Sequence, residues 1–269
     1  MFKKAFLLIA LSVSMISFSH GIACAENDKS AVLQHVQSRL TDVFGKMDKE
    51  LATVTAKLST TDFGSAEAKD IARRCASHPY SVDCVIFDAK GVMKVVEPAQ
   101  YNKFEGTDLG SDKLIALLRE TKKPIFSNRL RVVEGMDAVV AQHPILSPKQ
   151  EFLGSLSIVI RPEIFLAKVV EPIIKTTPFA CLVMQKDGLI LYDADPKEIG
   201  KNVFTDPLYK NFPELLEAAR KMAKEEKGSA TYRFMKQDAK GTTRKEIVWA
   251  TAGLYGTEWR IAVISEIAE

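Results

Sequence analysis

Apolar side chains recur in steps of three or four between residues 30 and 60, at Leu33, Val36, Leu40, Val43, Met47, Leu51, Val54 and Leu58, with charged residues between them. The spacing predicts one long helix bearing a coiled-coil-like stripe. That stripe either packs on the rest of the chain or pairs with the same helix of a second copy. Residues 66–75 predict a second helix, stopped at His78-Pro79 because proline pushes the residue before it out of helical geometry. Beyond that point the apolar positions come in short runs bounded by turn residues, the pattern of strands. In the first stretch these runs are 84–87, 92–96, 125–133, 138–145 and 152–160, with a loop at 98–110 and a helix that Ser111 or Asp112 caps and Pro124 breaks. In the second stretch, runs at 189–192, 230–235, 246–252 and 259–264 predict strands. Asp195-Pro196-Lys197-Glu198 reads as a capping box with proline at the first helical position. Asp206-Pro207 starts a further short turn, and Leu215, Leu216, Ala219, Met222 and Ala223 form one helical face that ends before Gly228.

The two stretches follow one plan. Val82-Asp-Cys-Val-Ile-Phe-Asp-Ala-Lys-Gly91 and Phe179-Ala-Cys-Leu-Val-Met-Gln-Lys-Asp-Gly188 align on their glycines without a gap and place Cys84 on Cys181. A repeat of this kind predicts two units of one architecture, each a five-stranded antiparallel sheet with helices inserted after its second strand. The fold class is α+β. The chain divides into 26–78, the two helices; 79–161, the first unit; 162–178, a linker with Pro162, Pro172 and Pro178; and 179–269, the second unit.

Residues 1–25 stand outside that plan. Lys3 and Lys4 precede an apolar run from 5 to 18, and Ala23-Cys24-Ala25 supplies small residues at the spacing a signal peptidase reads. The run is shorter than the ~20 residues of a membrane span, so the expectation is export, to the periplasm or beyond, with cleavage after Ala25. Anchoring through a lipid on Cys24 is a rival route, although Gly21 stands where a lipoprotein signal usually has leucine. Losing Lys3 and Lys4 lowers the formal charge of +3 by two. A near-neutral surface of interspersed charges gives no electrostatic case for nucleic acid or an anionic membrane. Export permits a disulfide, and Cys75 with Cys84 closes the shortest loop. Against that, Cys84 and Cys181 each sit in an apolar strand, where a free cysteine behaves as a small hydrophobe.

The segment Leu191-Tyr-Asp-Ala-Asp-Pro-Lys-Glu-Ile-Gly-Lys-Asn-Val-Phe204, followed by Asp206-Pro207-Leu208-Tyr209, resembles the post-strand segment of double Cache domains. Phe87-Asp-Ala-Lys-Gly91 and the neighbourhood of Pro144, Gly154 and Ser155 are similar to that family's first unit. The resemblance covers nearly all of residues 30–266. It implies a sensor of two PAS-like units on one long helix, with a small-molecule pocket in the first, membrane-distal unit under the elements between strands two and three. It further implies an output through a membrane receptor or kinase. The amino-acid-binding branch places Arg, Trp and Tyr near that pocket, whereas Trp249 and Trp259 both lie in the second unit here. Organic acids, amines and purine-like molecules stay open as ligands.

Catalytic patterns are absent: there is no G-x-S-x-G elbow, P-loop or H-E-x-x-H, and no cysteine or histidine spacing that would hold a metal or cofactor. The first unit instead offers a binding constellation. Arg129 and Arg131, two apart in a predicted strand, project from one face, where their guanidinium groups either grip a carboxylate or phosphate or decorate the solvent side of an edge strand. Asp137 and His143 share a face with Val139 and Ala141, and Tyr101 lies in the loop expected to roof the pocket. In the second unit Tyr192, Asp193, Tyr209, Tyr232 and Trp249 read as core filling. The expected function is an exported small-molecule-binding sensor module without enzymatic activity. The alternative is an interaction protein that keeps the scaffold without a pocket.

Overall fold

The computed structural model describes residues 28–236 and 241–267; residues 1–25, where an export signal and the rival lipid anchor at Cys24 are expected, lie outside the described residues. Helix α1 (Lys29–Leu58) is unbroken. Asp28 caps it, its side chain accepting from the Ser30 N–H at 2.9 Å and so satisfying one of the free amides of the first turn. The predicted stripe is buried or packed on the core throughout, with Val32 and Phe44 added to it. The early turns lie on the second unit, where Lys29 reaches Glu246 at 2.6 Å and Ser265 at 2.7 Å and Gln37 donates to the Thr251 carbonyl. Later turns lie on the first, where Asp48 meets His143. The stripe is therefore internal, and a pairing of copies through α1 has only the helix's polar outer face to use.

Helix α2 (Ala66–Ala76) leads into β1 (Ser81–Asp88), and a disulfide joins Cys75 to Cys84 across them. Next come β2 (Met93–Glu97), a 3-10 turn at Ala99–Phe104, α3 (Lys113–Thr121), β3 (Ile125–Phe126), β4 (Leu130–Arg131), β5 (Asp137–Leu146) and β6 (Phe152–Ile160). They form one antiparallel sheet in the order β2-β1-β6-β5-β3, with β4 also paired to β5. Helix α4 (Pro162–Ile174) connects to β7 (Ala180–Gln185) and β8 (Ile190–Asp193). A 3-10 turn at Pro207–Tyr209, α5 (Pro213–Lys224), β9 (Gly228–Met235), β10 (Thr242–Leu254) and β11 (Thr257–Ile267) complete the second unit. Its antiparallel sheet has the order β8-β7-β11-β10-β9, the same permutation as the first.

The repeat extends to backbone detail. Gly91 and Gly188 take φ of +91° and +92°, a region open to glycine and strained for other residues. Each unit has a register shift at the same offset from that glycine, between Ile86 and Phe87 and between Val183 and Met184. Each also has an isolated bridge one residue past it, from Val92 to Asp108 and from Leu189 to Asn202.

Three expectations are corrected. Residues 125–133 are two short strands, because the Ser127 hydroxyl accepts from the Val140 N–H at 2.8 Å and Arg129 donates its N–H to Gln185 Oε1 of the other unit at 2.7 Å. The predicted capping box at Asp195 to Glu198 makes a turn and not a helix. Glu198 accepts from the Tyr209 hydroxyl at 2.7 Å, and the Asp195 N–H is taken by Asp193 Oδ1 at 2.7 Å, so the reciprocal bonds of the box do not form. Residues 162–174 of the supposed linker are helical, with Pro162 in the first turn and Phe165, Leu166, Val169 and Val170 buried.

Both sheets share one core along α1. At its centre the Phe44 ring lies 5.4 Å from Phe126, 5.8 Å from Phe165 and 5.4 Å from Trp259, so α1, the first sheet, α4 and the second sheet each contribute one ring. Edge and offset contacts of this kind add about 0.5–1.5 kcal/mol per pair beyond area burial.

Candidate ligand-binding site

Each sheet turns one face to α1 and the other to the helix inserted within its unit. On the first sheet strict alternation along β5 sends Val139, Ala141, His143 and Ile145 toward α1, and Val140 and Gln142 toward α3. The α3 side encloses a cavity of about 110 Å³ between the sheet, α3 and the β4–β5 turn, walled mainly by Val85, Phe87, Ile115, Leu130 and Val140. Of the five residues expected to bind ligand, Arg131 alone lines it. Arg129, Arg131 and Asp137 do come together, with Arg129 Nη2 3.4 Å and Arg131 Nη1 3.6 Å from the Asp137 carboxylate. The Arg131 side chain is 67% exposed, a setting in which an ion pair contributes under about 1 kcal/mol. Arg129 faces the second unit, its guanidinium lying against Gly200. Tyr101 stacks with Phe104 beside the cavity, on the cluster of Val85, Phe87, Met93 and Ile115.

His143 shares its face with Val139 and Ala141 as expected, but that face looks at α1. Its Nε2 lies 2.6 Å from the Tyr255 hydroxyl and 3.4 Å from Asp48, and Tyr255 donates to Asp48 at 2.6 Å. Burial lowers the His143 pKa, with Asp48 opposing it. The three residues tie α1, the first sheet and the β10–β11 hairpin together, so His143 belongs to the junction of the units and stands apart from the cavity.

One buried group of the first unit had no sequence signal. Asp83 is fully buried; neither of its carboxyl oxygens nor Glu134 Oε2 has a hydrogen-bond partner in good geometry, and the Val159 backbone only partly offsets what burial does to it. Burial, and then the facing Glu134, push Asp83 up to about 9. Between the ordinary carboxyl range and about 9 the folded chain therefore keeps a proton that the unfolded chain has released. Stability falls as pH rises through that window, by up to about 1.4 kcal/mol per pH unit. Asp83→Asn, whose amide can donate to Glu134, is expected to flatten that decline and at about pH 8 to exceed the parent chain by about 2 kcal/mol or more in denaturant titrations. Parallel pH profiles for the two proteins would contradict a proton held at Asp83.

The corresponding cavity of the second unit, under α5, measures about 170 Å³. Helix α5 roofs it with Leu215, Ala218, Ala219 and Met222, and Met184, Ile190 and Ile247 form its floor. Polar groups enter at one end: Asp193 at the close of β8, Asp195 and Glu198 in the turn after it, Tyr209 and Tyr232, with Lys236, Lys245 and Glu266 around them. Asp193 is pushed up to about 7, chiefly by burial. Burial likewise raises Glu198 and Tyr232. Tyr209, Tyr232 and Trp249 do belong to an apolar cluster, but Asp193, Tyr209 and Tyr232 also wall a void. Alternation along a strand marks a covered face and cannot distinguish a wall from a filled core. The acid-rich turn of Asp193, Asp195, Glu198 and Asp206 beside two tyrosines was the available signal.

Two sheets of one permutation strung on a long helix, each with a cavity under its inserted helix, form the architecture that the resemblance to double Cache domains implies. Residues 42–162 match the family model of the HK/GC/Chemotaxis protein-like sensor domain. Among solved structures the chain is similar to an extracellular ligand binding receptor from Desulfohalobium retbaense, at 28% identity and a TM-score of 0.72 over 88% of this chain; it spans 40% of that receptor's length. It also resembles the ligand-binding domain of the Campylobacter jejuni chemoreceptor Tlp3 in complex with L-valine (10% identity, TM-score 0.64, 92% of this chain and 94% of that one). The ligand-binding domain of the Pseudomonas aeruginosa amino acid chemoreceptor PctB in complex with L-Gln is similar as well (11%, 0.60, 88% and 89%). No curated protein matches the chain. Among the described residues no helix is long and apolar enough to cross a membrane, and no cluster of three or more His, Cys, Asp or Glu could hold a metal ion.

Proposed function

We propose that this chain is an exported sensor module that binds a small molecule in the second unit's cavity and passes its occupancy to a membrane receptor or kinase. One observation carries the reading. The cavity has an apolar body and a one-ended polar rim, the usual division of labour in a small-molecule site, within a fold whose solved relatives include ligand-bound sensors. Helix α5 is the element that occupancy would press on, and α1, packed along both sheets, is the element that would carry the change. Its start is pinned to β10 and β11 through Glu246 and Ser265.

A second reading keeps the ligand in the first unit. It is favoured by the family match, which spans that unit and excludes the other. There Arg131 would meet an anionic group, with Arg129 and Asp137 behind it and Tyr101 at the edge.

A small-molecule library screened by thermal shift separates the two. Saturating a site a hundredfold above Kd stabilises by about 2.7 kcal/mol, several degrees for a chain of this size. Filling the second cavity with Ala219→Leu is expected to abolish the shift, and filling the first with Val140→Leu to leave it intact. The reverse result would move the site to the first unit.

A further inference from the structure

The polar end of the second cavity is unbalanced in charge. Asp193, Asp195, Glu198 and Glu266 face it against Lys236 and Lys245. Lys245 is already engaged, 3.7 Å from Glu266 and 5.7 Å above the Phe234 ring. Among the described residues no cation lies within ion-pair distance of Asp193 or Glu198. Both carboxyls are nevertheless held in place. Asp193 Oδ1 accepts from the Asp195 N–H and Glu198 Oε2 from the Tyr209 hydroxyl, which leaves each with one oxygen that no donor among the described residues reaches. Tyr232 lines the same space at 5% exposure, and no described group hydrogen-bonds its hydroxyl. The rings of Tyr209 and Phe234 stand beside it, 5.9 Å apart.

Resting on the assignment of this cavity as the ligand site, we propose that it takes a small organic ammonium ion, a primary amine on a single-ring or short aliphatic body, with the charge between Asp193 and Glu198. The free carboxyl oxygens accept from the ammonium, the aromatic faces attract it, and Tyr232 supplies a further oxygen. The body lies against Met184, Ile247 and Met222. The size fits: an apolar cavity of about 150 Å³ accommodates benzene, and this one measures about 170 Å³. An anionic ligand would meet the same carboxyls, and among the described residues lining the site Lys236, exposed at its rim, is all that is left to offset them. The protonation behaviour of Asp193 agrees, since a buried carboxyl without a counter-ion holds its proton and a bound ammonium supplies the missing charge.

The test uses the full exported chain and three isosteric probes: phenethylamine, 3-phenylpropionate and 2-phenylethanol. The amine is expected to raise the melting temperature and give a calorimetric binding isotherm, and the acid is expected to do neither. Asp193→Asn and Glu198→Gln should each weaken amine binding at least tenfold, and Tyr232→Phe several-fold, while all three variants stay folded by circular dichroism. Amine affinity untouched by both carboxyl substitutions overturns the proposal. Stabilisation by 3-phenylpropionate alone, lost in Ala219→Leu, overturns the ammonium assignment and leaves the cavity as the ligand site. No shift from any probe, or shifts that survive Ala219→Leu, removes both the assignment and the site reading beneath it.

Discussion

Met47→Asp is expected to lose about 4 kcal/mol or more of folding stability, a large part of the usual total of about 5–15 kcal/mol. Met47 sits mid-helix in α1 at 1% exposure, inside the core that both sheets share. An aspartate there has no partner, so it remains as a desolvated charge or takes up a proton, and either course adds to the lost packing. Met47→Leu, nearly equal in volume, should change stability by less than about 1.5 kcal/mol. Urea titration of both variants separates the outcomes. An unchanged midpoint for Met47→Asp, together with loss of a dimer on gel filtration, would place the stripe between copies instead of inside one.

The second large effect is expected at Arg260, 1% exposed on β11. Its Nε donates to the Met222 carbonyl at 2.9 Å, Nη2 to that of Ala223 at 3.4 Å, and Nη1 to Glu258 at 3.1 Å. The guanidinium thus closes the end of α5, where carbonyls lack helical partners and a cation is favoured. Arg260→Ala strands those carbonyls and leaves a void, for an expected loss of about 3 kcal/mol. Arg260→Lys should recover only part of it, because a point charge cannot hold three acceptors in fork geometry. Glu258 is held below its usual range, first by its hydrogen bond to Arg260, so this contribution fades as pH falls through that lowered value. Because α5 roofs the second cavity, Arg260→Ala should also shrink any ligand-induced thermal shift. A variant as stable as the parent would mean that α5 is held by its apolar face alone.

How far the sequence is legible can be followed residue by residue. The glycines that align the repeat, Gly91 and Gly188, occupy matching backbone conformations, because a turn that demands positive φ leaves its mark in residue type. The long helix was equally visible, although Phe44, the ring at the meeting of both sheets, was missing from the stripe. Four residues after Leu40 and three before Met47 it fits the period, but Val43 beside it competed for the same place. Arg129 and Arg131 illustrate the opposite case. Their spacing fixes a shared face only if the strand is continuous, and one serine hydroxyl in the ladder was enough to interrupt it. His143 shows a further limit: alternation says which residues share a face, while the element lying against that face is decided by tertiary packing. The acids of the second cavity were in view but read otherwise, Asp193 as core filling and Glu198 as the end of a capping box, since a core, a cap and a binding rim use the same side chains.

The ring cluster of Phe44, Phe126, Phe165 and Trp259 bears on how this molecule can be divided. Residues after Ile174 produced alone would present Trp259, with 0% exposure in the whole chain, to water along with the underside of its sheet. Residues up to Ile174 produced alone would bare Phe126 and the early turns of α1 in the same way. Neither half is a portable cassette. Any transfer of this module into another protein, by recombination or by engineering, has to move α1, both sheets and α4 as a single piece.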